Sequence, residues 1–462
     1  MIRSYKFKQE ANDSKLLHVT KILLEYRRIA KIIMKKQMVS VYKTGRVEFS
    51  NYIYKDIPTF LSERYKDVIK RQIDGMLKSY LSNRKNDFND IIYRSSLTKE
   101  QKKELNIINY YSKWFDVENK LARKIIKQTF HKNSLPDVDK INMQLNTKVF
   151  TLEESTNSSY KYWIKLCTEN RGKFIYIPLK DNSYFNKQKG ELTNSAQLNF
   201  KNNKLSSVVL SLTKEKDLNY VGAKKIGIDI GLKNLITTSE GDLYSKGFMS
   251  KVSKYDMKII KLQKELQKRN IKLKDNKRYT KLNSSLRGFI KNEANRVINN
   301  IIKTHKPKEI VSENLNFQNS NMSKRMNRLI NKFGVGIINQ KLMNLNEEKG
   351  IVNTKVNPAY TSLECSACHY IDKRNRNGEQ FKCLCCGKTH HADINSTKNI
   401  IRRSDDNRID IYTNKNKILQ LLVDDFVTNK RFCISSLSSA VFKKNKYVNV
   451  YASSAMSLLS IK

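Results

Sequence analysis

The stretch KKIGIDIGLKNLITT, from Lys224 to Thr238, decides the fold of this chain. Isoleucines at positions 226, 228 and 230 alternate with Gly227, Asp229 and Gly231. Because side chains along a strand point alternately to its two faces, one face carries the isoleucines and the other presents a single carboxylate, Asp229. An unpaired buried carboxylate is costly, so a metal, a basic partner or an open cleft should lie beside it. The alternative is a strand-end aspartate that a turn satisfies.

The composition of the chain points to a polyanionic partner. The 462 residues are enough for about two to four domains. They include 89 Lys and Arg against 43 Asp and Glu, which gives a formal net charge of +46. Neutralising phosphates with release of counterions supplies most of the affinity of nucleic-acid binders, so we expect a nucleic acid. An AT-rich genome would also enrich Lys, Asn and Ile, but it would raise Glu and Asp as well and does not cancel the imbalance.

The N-terminus carries no targeting signal that we can identify. The sequence MIRSYKFKQE is charged throughout and lacks the apolar core of a signal peptide. No stretch has the length of a membrane span without charges. We therefore expect a cytoplasmic protein with no membrane partner.

The first half of the chain changes its periodicity once. Apolar residues at helical spacing indicate a basic, all-helical region from about Asn12 that ends near Lys132. Its charged face is either solvated or in contact with nucleic acid. After Pro136 the period becomes two, which predicts a small antiparallel sheet or barrel between about Lys140 and Asp217. A short strand from Met1 to Lys8 can complete it.

Beyond the opening stretch, the pattern alternates between strands and basic helices. A hairpin turn is predicted at Ser239–Asp242, followed by two long basic helices over Lys251–Arg269 and Tyr279–His305. A basic linker at Ser320–Arg328 and a helix that ends at Gly350 follow. The two long helices are either structural or grip phosphates.

Five of the seven cysteines lie between Cys365 and Cys386. An odd total with most of the cysteines in one cluster argues against a secreted disulfide framework and for a metal site in a reducing compartment. Cys365 and Cys368 form one C-x2-C pair, and Cys383 and Cys386 form a second pair after a gap of fourteen residues. Four thiolates close a tetrahedral zinc site without an open position, so the zinc should be structural. Cys385 competes as the fourth ligand, but Gly387 after Cys386 favours Cys386.

Two further carboxylates stand at the edges of core elements. Glu313 follows the short apolar run Ile310–Ser312, and Asp393 begins a helix in HHADINSTKNI. Taken singly, Glu313 could be a solvated strand end and Asp393 a helix cap. Together with Asp229 they form the RNase H-like arrangement, in which hard oxygen ligands hold two Mg²⁺ ions about 4 Å apart. Asp229 would bridge both ions, and the other two carboxylates would complete one site each.

The motifs GIDIGLKN, IVSENLN, YTSLECSAC, FKCLCCG and HADINSTKNI occur in this order between Lys224 and Arg403. In order and spacing they resemble the RuvC and zinc-finger motifs of transposon-encoded TnpB nucleases and of compact type V CRISPR effectors. The resemblance implies a catalytic triad of Asp229, Glu313 and Asp393 with Mg²⁺ (two ions, or Mn²⁺). It also implies structural Zn²⁺ on Cys365, Cys368, Cys383 and Cys386.

The resemblance further implies an arginine near the scissile phosphate. Arg376 falls at that place, although Arg374 is two residues away. The sequence departs from the family pattern at His369, which replaces a glycine, and at Ser396 and Thr397, which replace small alanines. None of these three changes removes a ligand.

The implied fold is an α+β multidomain protein. It has an N-terminal wedge β-barrel with an inserted helical recognition lobe, then an RNase H-like (RuvC) α/β domain with an inserted zinc ribbon. The implied boundaries are 1–11 for the first wedge strand, 12–137 for the recognition lobe, 138–220 for the wedge barrel, 221–356 and 390–403 for the RuvC-like domain, and 357–389 for the zinc-binding target-nucleic-acid-binding insert. No role is assigned to 404–462, which contains the helix candidate KILQLLVDDFV.

The implied activity is cleavage of target DNA directed by a guide RNA, by a monomer or a homodimer. The guide could be a transposon-end RNA or a CRISPR RNA. Two alternatives remain: a guide-directed DNA-binding repressor with little or no cleavage, and a transposon-associated nuclease that acts without a guide RNA. Residues that bind nucleic acid or read a motif beside the target are not identified by the sequence.

Overall fold

The computed structural model describes the chain except residues 51, 171, 218, 232, 316–334, 429–443 and 460–462. The predicted basic linker at 320–328 therefore lies outside the described residues. The chain divides into two compact units, Met1–Glu215 and Lys216–Lys462. Within the described ranges, no helix combines the length and the apolarity needed to cross a bilayer.

The helices of the first unit follow its first strand, β1 (Ile2–Lys8). They are α1 (Asp13–Thr44), α2 (Tyr52–Lys55), α3 (Glu63–Arg94), α4 (Lys99–Tyr111) and α5 (Lys120–Lys132). The side chain of Asn12 caps α1 by accepting a hydrogen bond from the backbone of Lys15, and Thr98 with Gln101 forms a capping box at α4. The long helices α1 and α3 pack their apolar stripes into one core with the strands of this unit.

The strands of the first unit form two antiparallel sheets. They are β2 (Met143–Asn146), β3 (Phe150–Glu154), β4 (Tyr162–Cys167), β5 (Phe174–Leu179), β6 (Glu191–Lys201) and β7 (Lys204–Thr213), with a short helix α6 (Ser183–Asn186) between β5 and β6. The sheet orders are β1-β7-β6-β2 and β3-β4-β5. Strand β1 completes the first sheet by pairing with β7, as predicted.

The predicted closed barrel is not confirmed. Backbone hydrogen bonds from Lys180 to Lys8 and from Glu10 to Pro178 connect the end of β1 to the end of β5, so the two sheets meet along one edge. In the part of this unit that the structure describes, no ladder of hydrogen bonds joins β2 to β3 and closes the ring. The broader α+β prediction holds.

The second unit is built on a mixed five-stranded sheet. Its strands are β8 (Lys224–Asp229), β9 (Ile236–Thr238), β10 (Leu243–Tyr244), β11 (Pro307–Glu313) and β12 (Val352–Val356), in the order β10-β9-β8-β11-β12. β8, β9 and β10 are antiparallel neighbours, which confirms the hairpin turn at Ser239–Asp242. β11 runs parallel to both β8 and β12.

Helices cover both faces of this sheet. The isoleucine face packs against α7 (Phe248–Lys268), α8 (Lys277–His305) and the helix Val335–Lys349. The opposite face packs against the helix Ala392–Ser404, called here the Asp393 helix. A Cβ atom on Gly227 would lie 2.4 Å from the backbone oxygen of Thr397. Only glycine therefore allows β8 and the Asp393 helix to approach so closely.

A small sheet carries the cysteine pairs. Its strands are β13 (Arg376–Asn377), β14 (Gln380–Lys382) and β15 (Thr389–His391). Asn377 pairs with Gln380 across the hairpin between β13 and β14, where Gly378 has a φ of 62°. The predicted KILQLLVDDFV helix is present as Lys415–Thr428, and a last helix spans Val448–Leu459.

Candidate active site and metal centre

The three predicted carboxylates come together at one edge of the second unit's sheet. Asp229 ends β8 and Glu313 ends β11, and the carboxyl ends of two parallel neighbouring strands lie at the same edge. Asp393 is the second residue of the helix that packs on β8. A Cβ atom on Gly231 would lie 3.9 Å from Oδ2 of Asp393, which places this carboxylate next to the end of β8.

Asp229 is held in an unfavourable electrostatic environment. Burial raises its pKa well above the ordinary carboxyl value, and the nearby carboxylates of Glu313 and Asp393 raise it further. The guanidinium of Arg376 and the backbone N–H of Ile230 lower this pKa, but their influence is smaller. The turn after β8 thus supplies one hydrogen bond to Asp229, from Ile230, while the two neighbouring carboxylates act against its charge.

Glu313 is buried enough for its pKa to rise, and one residue in particular fixes its orientation. The hydroxyl of Thr361 donates a hydrogen bond of 2.5 Å to Oε1 of Glu313. This bond lowers the pKa of Glu313, as do the positive charges of Arg403 and Arg376, but burial outweighs them. Glu313 as a whole residue remains partly exposed.

Asp393 forms an ion pair and is not the cap of its helix. The N-cap is His391, whose Nδ1 accepts a hydrogen bond of 3.3 Å from the backbone of Asp393. Nη2 of Arg376 lies 2.8 Å from Oδ1 of Asp393. This ion pair joins Asp393 to Arg376 at the site.

The two candidate arginines have different partners. Arg374 is bound to the buried carboxylate of Asp372, with Nη2 to Oδ2 at 2.6 Å and Nε to Oδ1 at 3.1 Å. Arg376 is the arginine that reaches the carboxylate site, through Asp393. Its guanidinium is therefore at the site, whereas that of Arg374 is used in the fold of the zinc insert.

The donor set fits hard divalent ions. Three carboxylates with one nearby ion-paired arginine leave negative charge to be neutralised, and oxygen is the ligand atom that Mg²⁺ prefers. In the described ranges these carboxylates do not each bring an oxygen within 4.8 Å of the others, as the four cysteine sulfurs do.

The four predicted zinc ligands form a compact cluster. Their four sulfur atoms all lie within 4.8 Å of one another; the residues are Cys365, Cys368, Cys383 and Cys386. The sulfurs of Cys365 and Cys386 are 3.8 Å apart, and those of Cys368 and Cys383 are 3.5 Å apart. Four ligands at about 2.3 Å from a tetrahedral zinc lie about 3.8 Å from one another, so the cluster fits zinc. The structure selects Cys386 rather than Cys385 for this group.

Both turns after the cysteine pairs use the left-handed backbone conformation. Gly387 has a φ of 73°, and His369, which stands where the family has glycine, has a φ of 66°. This conformation is unfavourable for a residue with a Cβ atom. The Nδ1 atom of His369 lies 3.0 Å from Oε1 of the buried Glu364, which helps to hold the turn.

Residues that support the site were missed by the sequence analysis. Glu364 is fully buried and pairs with Arg402 and Arg403 from the end of the Asp393 helix. Arg403 also donates a 3.1 Å hydrogen bond to the backbone oxygen of Ala359. These contacts tie the segment before the first cysteine pair to the helix that carries Asp393. In the sequence, Glu364 is recognisable only as a glutamate beside a cysteine, and Arg402 and Arg403 only as two adjacent arginines. These features do not predict that the three side chains meet.

Comparisons with known proteins agree with the motifs. Residues 210–326 match the family model described as "Probable transposase" (OrfB_IS605), and residues 336–400 match the model "Cas12f1-like, TNB domain". A CRISPR-associated endodeoxyribonuclease Cas12f1 of Sulfoacidibacillus thermotolerans is 45% identical over 64 residues, and one of Syntrophomonas palmitatica is 46% identical over 48 residues. These alignments span 14% and 10% of this chain and 15% and 10% of the two relatives.

Among solved structures, the chain is similar to a Cas12f1-sgRNA-target DNA complex, with a TM-score of 0.45 and 15% identity over 88% of this chain and 99% of that one. It is also similar to the mini-RNA-guided endonuclease CRISPR-Cas_phi3, with a TM-score of 0.49 and 13% identity over 87% of this chain and 92% of that one. The resemblance to TnpB nucleases and compact type V effectors, predicted from the motifs, is confirmed by the two family models and the two curated relatives.

Proposed function

We propose that this chain is an RNA-guided DNA endonuclease that hydrolyses phosphodiester bonds of target DNA at one RuvC-like site. The observation that carries this proposal is the convergence of Asp229, Glu313 and Asp393 with Arg376 at one sheet edge. The names of the two curated relatives and the net charge of +46 support it. Because the chain spans only 15% and 10% of those relatives, its activity and partners are proposals.

In this proposal each carboxylate has a defined task. Asp229, whose pKa the two other carboxylates raise, would hold divalent ions, Mg²⁺ or Mn²⁺, together with Glu313 and Asp393. Bound ions would supply positive charge to the phosphate and lower the pKa of a water molecule. Thr361 keeps Glu313 in one orientation through its short hydrogen bond, so little reorganisation is needed on binding.

Arg376 acts on the phosphate in this mechanism. Its guanidinium lies at the edge of the carboxylate site, and it offers several N–H donors besides the one that binds Asp393. A donor placed beside a phosphate oxygen stabilises the charge that develops in the transition state. Zinc on the four cysteines would hold the insert that carries Arg376 in shape and would itself take no part in the chemistry.

Guide RNA and target DNA are the proposed partners. Base pairing with the guide would select the sequence, while the protein holds the heteroduplex through its backbone and shape. The excess of positive charge fits this task, since each neutralised phosphate adds affinity that salt weakens. We retain the predicted wedge, recognition, RuvC-like and zinc-insert boundaries as part of the proposal.

The test combines the identity of the bound RNA with one substitution. RNA that copurifies with the protein is sequenced, and DNA complementary to its variable end is used as substrate with Mg²⁺. Asp229→Ala should abolish cleavage and leave DNA binding intact, whereas Asp275→Ala, at an exposed aspartate of the same unit, should cleave normally. Cleavage that survives in Asp229→Ala contradicts the site assignment. Recovery of no defined RNA favours a nuclease without a guide, and binding without cleavage by the unaltered protein favours a repressor.

A further inference from the structure

The segment after residue 404, for which the sequence indicates no role, packs against the zinc insert. The helix Lys415–Thr428 and residues 444–454 are called here the C-terminal clasp. The clasp and the insert share one hydrophobic core. The clasp contributes Ile418, Leu419, Leu422, Val423, Phe426 and Tyr451, and the insert contributes Cys365, Cys368, Tyr370, Ile371, Phe381 and Cys383.

Two polar side chains of the clasp hold one short piece of the insert. The hydroxyl of Tyr451 accepts a 2.9 Å hydrogen bond from the backbone N–H of Ile371. Nδ2 of Asn445 donates to the backbone oxygen of Ile371 at 3.0 Å and to the hydroxyl of Tyr370 at 2.7 Å. Both side chains are almost completely buried, so each bond would be costly to break.

From this anchored piece, a short rigid turn leads to Arg376. The hydroxyl of Tyr370 donates to Oδ2 of Asp372 at 3.3 Å, and Asp372 caps the 3₁₀ turn Lys373–Asn375 by accepting from the backbone of Arg374 at 2.9 Å. Asn375 is buried and donates to the backbone oxygen of Tyr370 at 3.3 Å. Hydrogen bonds therefore hold the chain from Tyr370 to Asn375, and the next residue, Arg376, reaches the carboxylate site.

We propose that the C-terminal clasp positions Arg376, and that Tyr451 is a positioning residue for the reaction. This inference rests on the role proposed for Arg376. Tyr451 fixes the backbone at Ile371, Asp372 fixes the turn, and the guanidinium of Arg376 is thereby held next to Asp393. A displacement of about 1 Å at such a group costs a large factor in rate, so a remote anchor has a measurable effect.

The first test measures the backbone of the insert and does not depend on cleavage. Tyr451→Phe removes the hydroxyl and keeps the ring, while the control Tyr412→Phe makes the same change at a tyrosine that is 87% exposed. In hydrogen–deuterium exchange of the RNA-bound protein, Tyr451→Phe should accelerate exchange at residues 371–376 about tenfold, with zinc content unchanged. Unchanged exchange in this segment would overturn the clasp.

The second test asks whether Tyr451 acts through Arg376. Tyr451→Phe should lower the single-turnover cleavage rate about three- to tenfold in the unaltered background and have no further effect in an Arg376→Ala background. An equal loss in both backgrounds would refute positioning through Arg376. If Tyr451→Phe unfolds or loses zinc, Asn445→Ala, which removes the other two bonds, replaces it under the same criteria. If the unaltered protein does not cleave, the proposed function fails, and the exchange measurement still decides the clasp.

Discussion

Asp229→Asn should stabilise the metal-free protein although it abolishes cleavage. The carboxylate of Asp229 is buried beside Glu313 and Asp393, and Arg376 and the backbone N–H of Ile230 offset only part of this unfavourable environment. Two unit charges about 6 Å apart repel by about 3 kcal/mol at an effective dielectric constant of about 20. Because Arg376 and the backbone N–H of Ile230 offset part of the repulsion, we expect a net gain of about 1 to 2 kcal/mol.

The sign of the pH dependence follows from the direction of the pKa. The folded-state pKa of Asp229 is raised, so ionisation costs stability as the pH rises through that pKa. Below the ordinary carboxyl pKa of 3.8 the carboxyl is protonated in both states and the cost is absent. The advantage of Asp229→Asn should therefore grow as the pH rises from the ordinary carboxyl pKa through the raised folded-state pKa, and shrink as the medium becomes acidic.

The assay is thermal unfolding in a metal chelator, compared with unfolding in excess Mg²⁺. For a domain of 150–250 residues, about 1 to 2 kcal/mol raises the Tm by about 2 to 8 °C. Mg²⁺ should stabilise the unaltered protein and have little effect on Asp229→Asn. The control Asp217→Asn should bring no gain, since Lys349 lowers the pKa of that carboxyl. A lower or unchanged Tm of metal-free Asp229→Asn would refute the electrostatic reasoning.

Three further predictions concern single side chains of the site. Cys386→Ser should release most of the bound zinc, whereas Cys385→Ser should retain it, because the sulfur of Cys386 completes the compact group of four. Metal analysis after gel filtration checks this, and zinc loss from Cys385→Ser but not from Cys386→Ser would contradict it. Thr361→Val should raise the Mg²⁺ concentration needed for half-maximal cleavage about three- to thirtyfold, because Glu313 loses its short hydrogen bond. An unchanged Mg²⁺ titration would show that Thr361 does not support Glu313 as a metal ligand. Arg376→Ala should lower the cleavage rate about 100-fold in a single-turnover assay while DNA binding is kept; a loss confined to binding would show that Arg376 is not at the reacting phosphate.

Local patterns in the sequence were enough to predict the central elements of the second unit. The alternation before Asp229 predicted a strand with one apolar face, and β8 is present with its isoleucines buried. The turn at Ser239–Asp242 was predicted from turn chemistry, and the end of α8 before Pro307 from the unfavourable helical conformation of a residue that precedes proline. Each of these signals acts over a few residues, so no knowledge of distant contacts was needed.

Other elements could not be predicted because their sequences lack a distinct period. β3 (FTLEE) and β6 (ELTNSAQLNFK) are rich in polar residues and bury only a few side chains, so alternation did not reveal them. These two segments form strands because they make backbone hydrogen bonds to neighbouring strands, β3 to β4 and β6 to β2 and β7. The predicted closed barrel was not confirmed for a related reason, since ring closure depends on strand tilt and stagger that a pattern does not encode.

At the site, too, some residues could be predicted from local sequence and others only from the folded chain. Residue types and order predicted the carboxylates and cysteines, because the chemistry of Mg²⁺ and Zn²⁺ limits the ligands that can be used. The choice between Arg374 and Arg376 depended on which one Asp372 binds, and that is a tertiary contact. The support of Glu313 by Thr361, 48 residues further along, likewise follows only from the folded chain.

The most direct test of the central claim is to map the cut after the guide is changed. The protein is loaded with RNA whose variable end has been replaced by a new sequence, and DNA ends are mapped on a plasmid that carries both the old and the new complementary sites. The account predicts that the cut moves to the new site, requires a divalent ion and is absent in Asp229→Ala. A cut that stays at one DNA site whatever the guide, or no cut despite guide-directed binding, would contradict it.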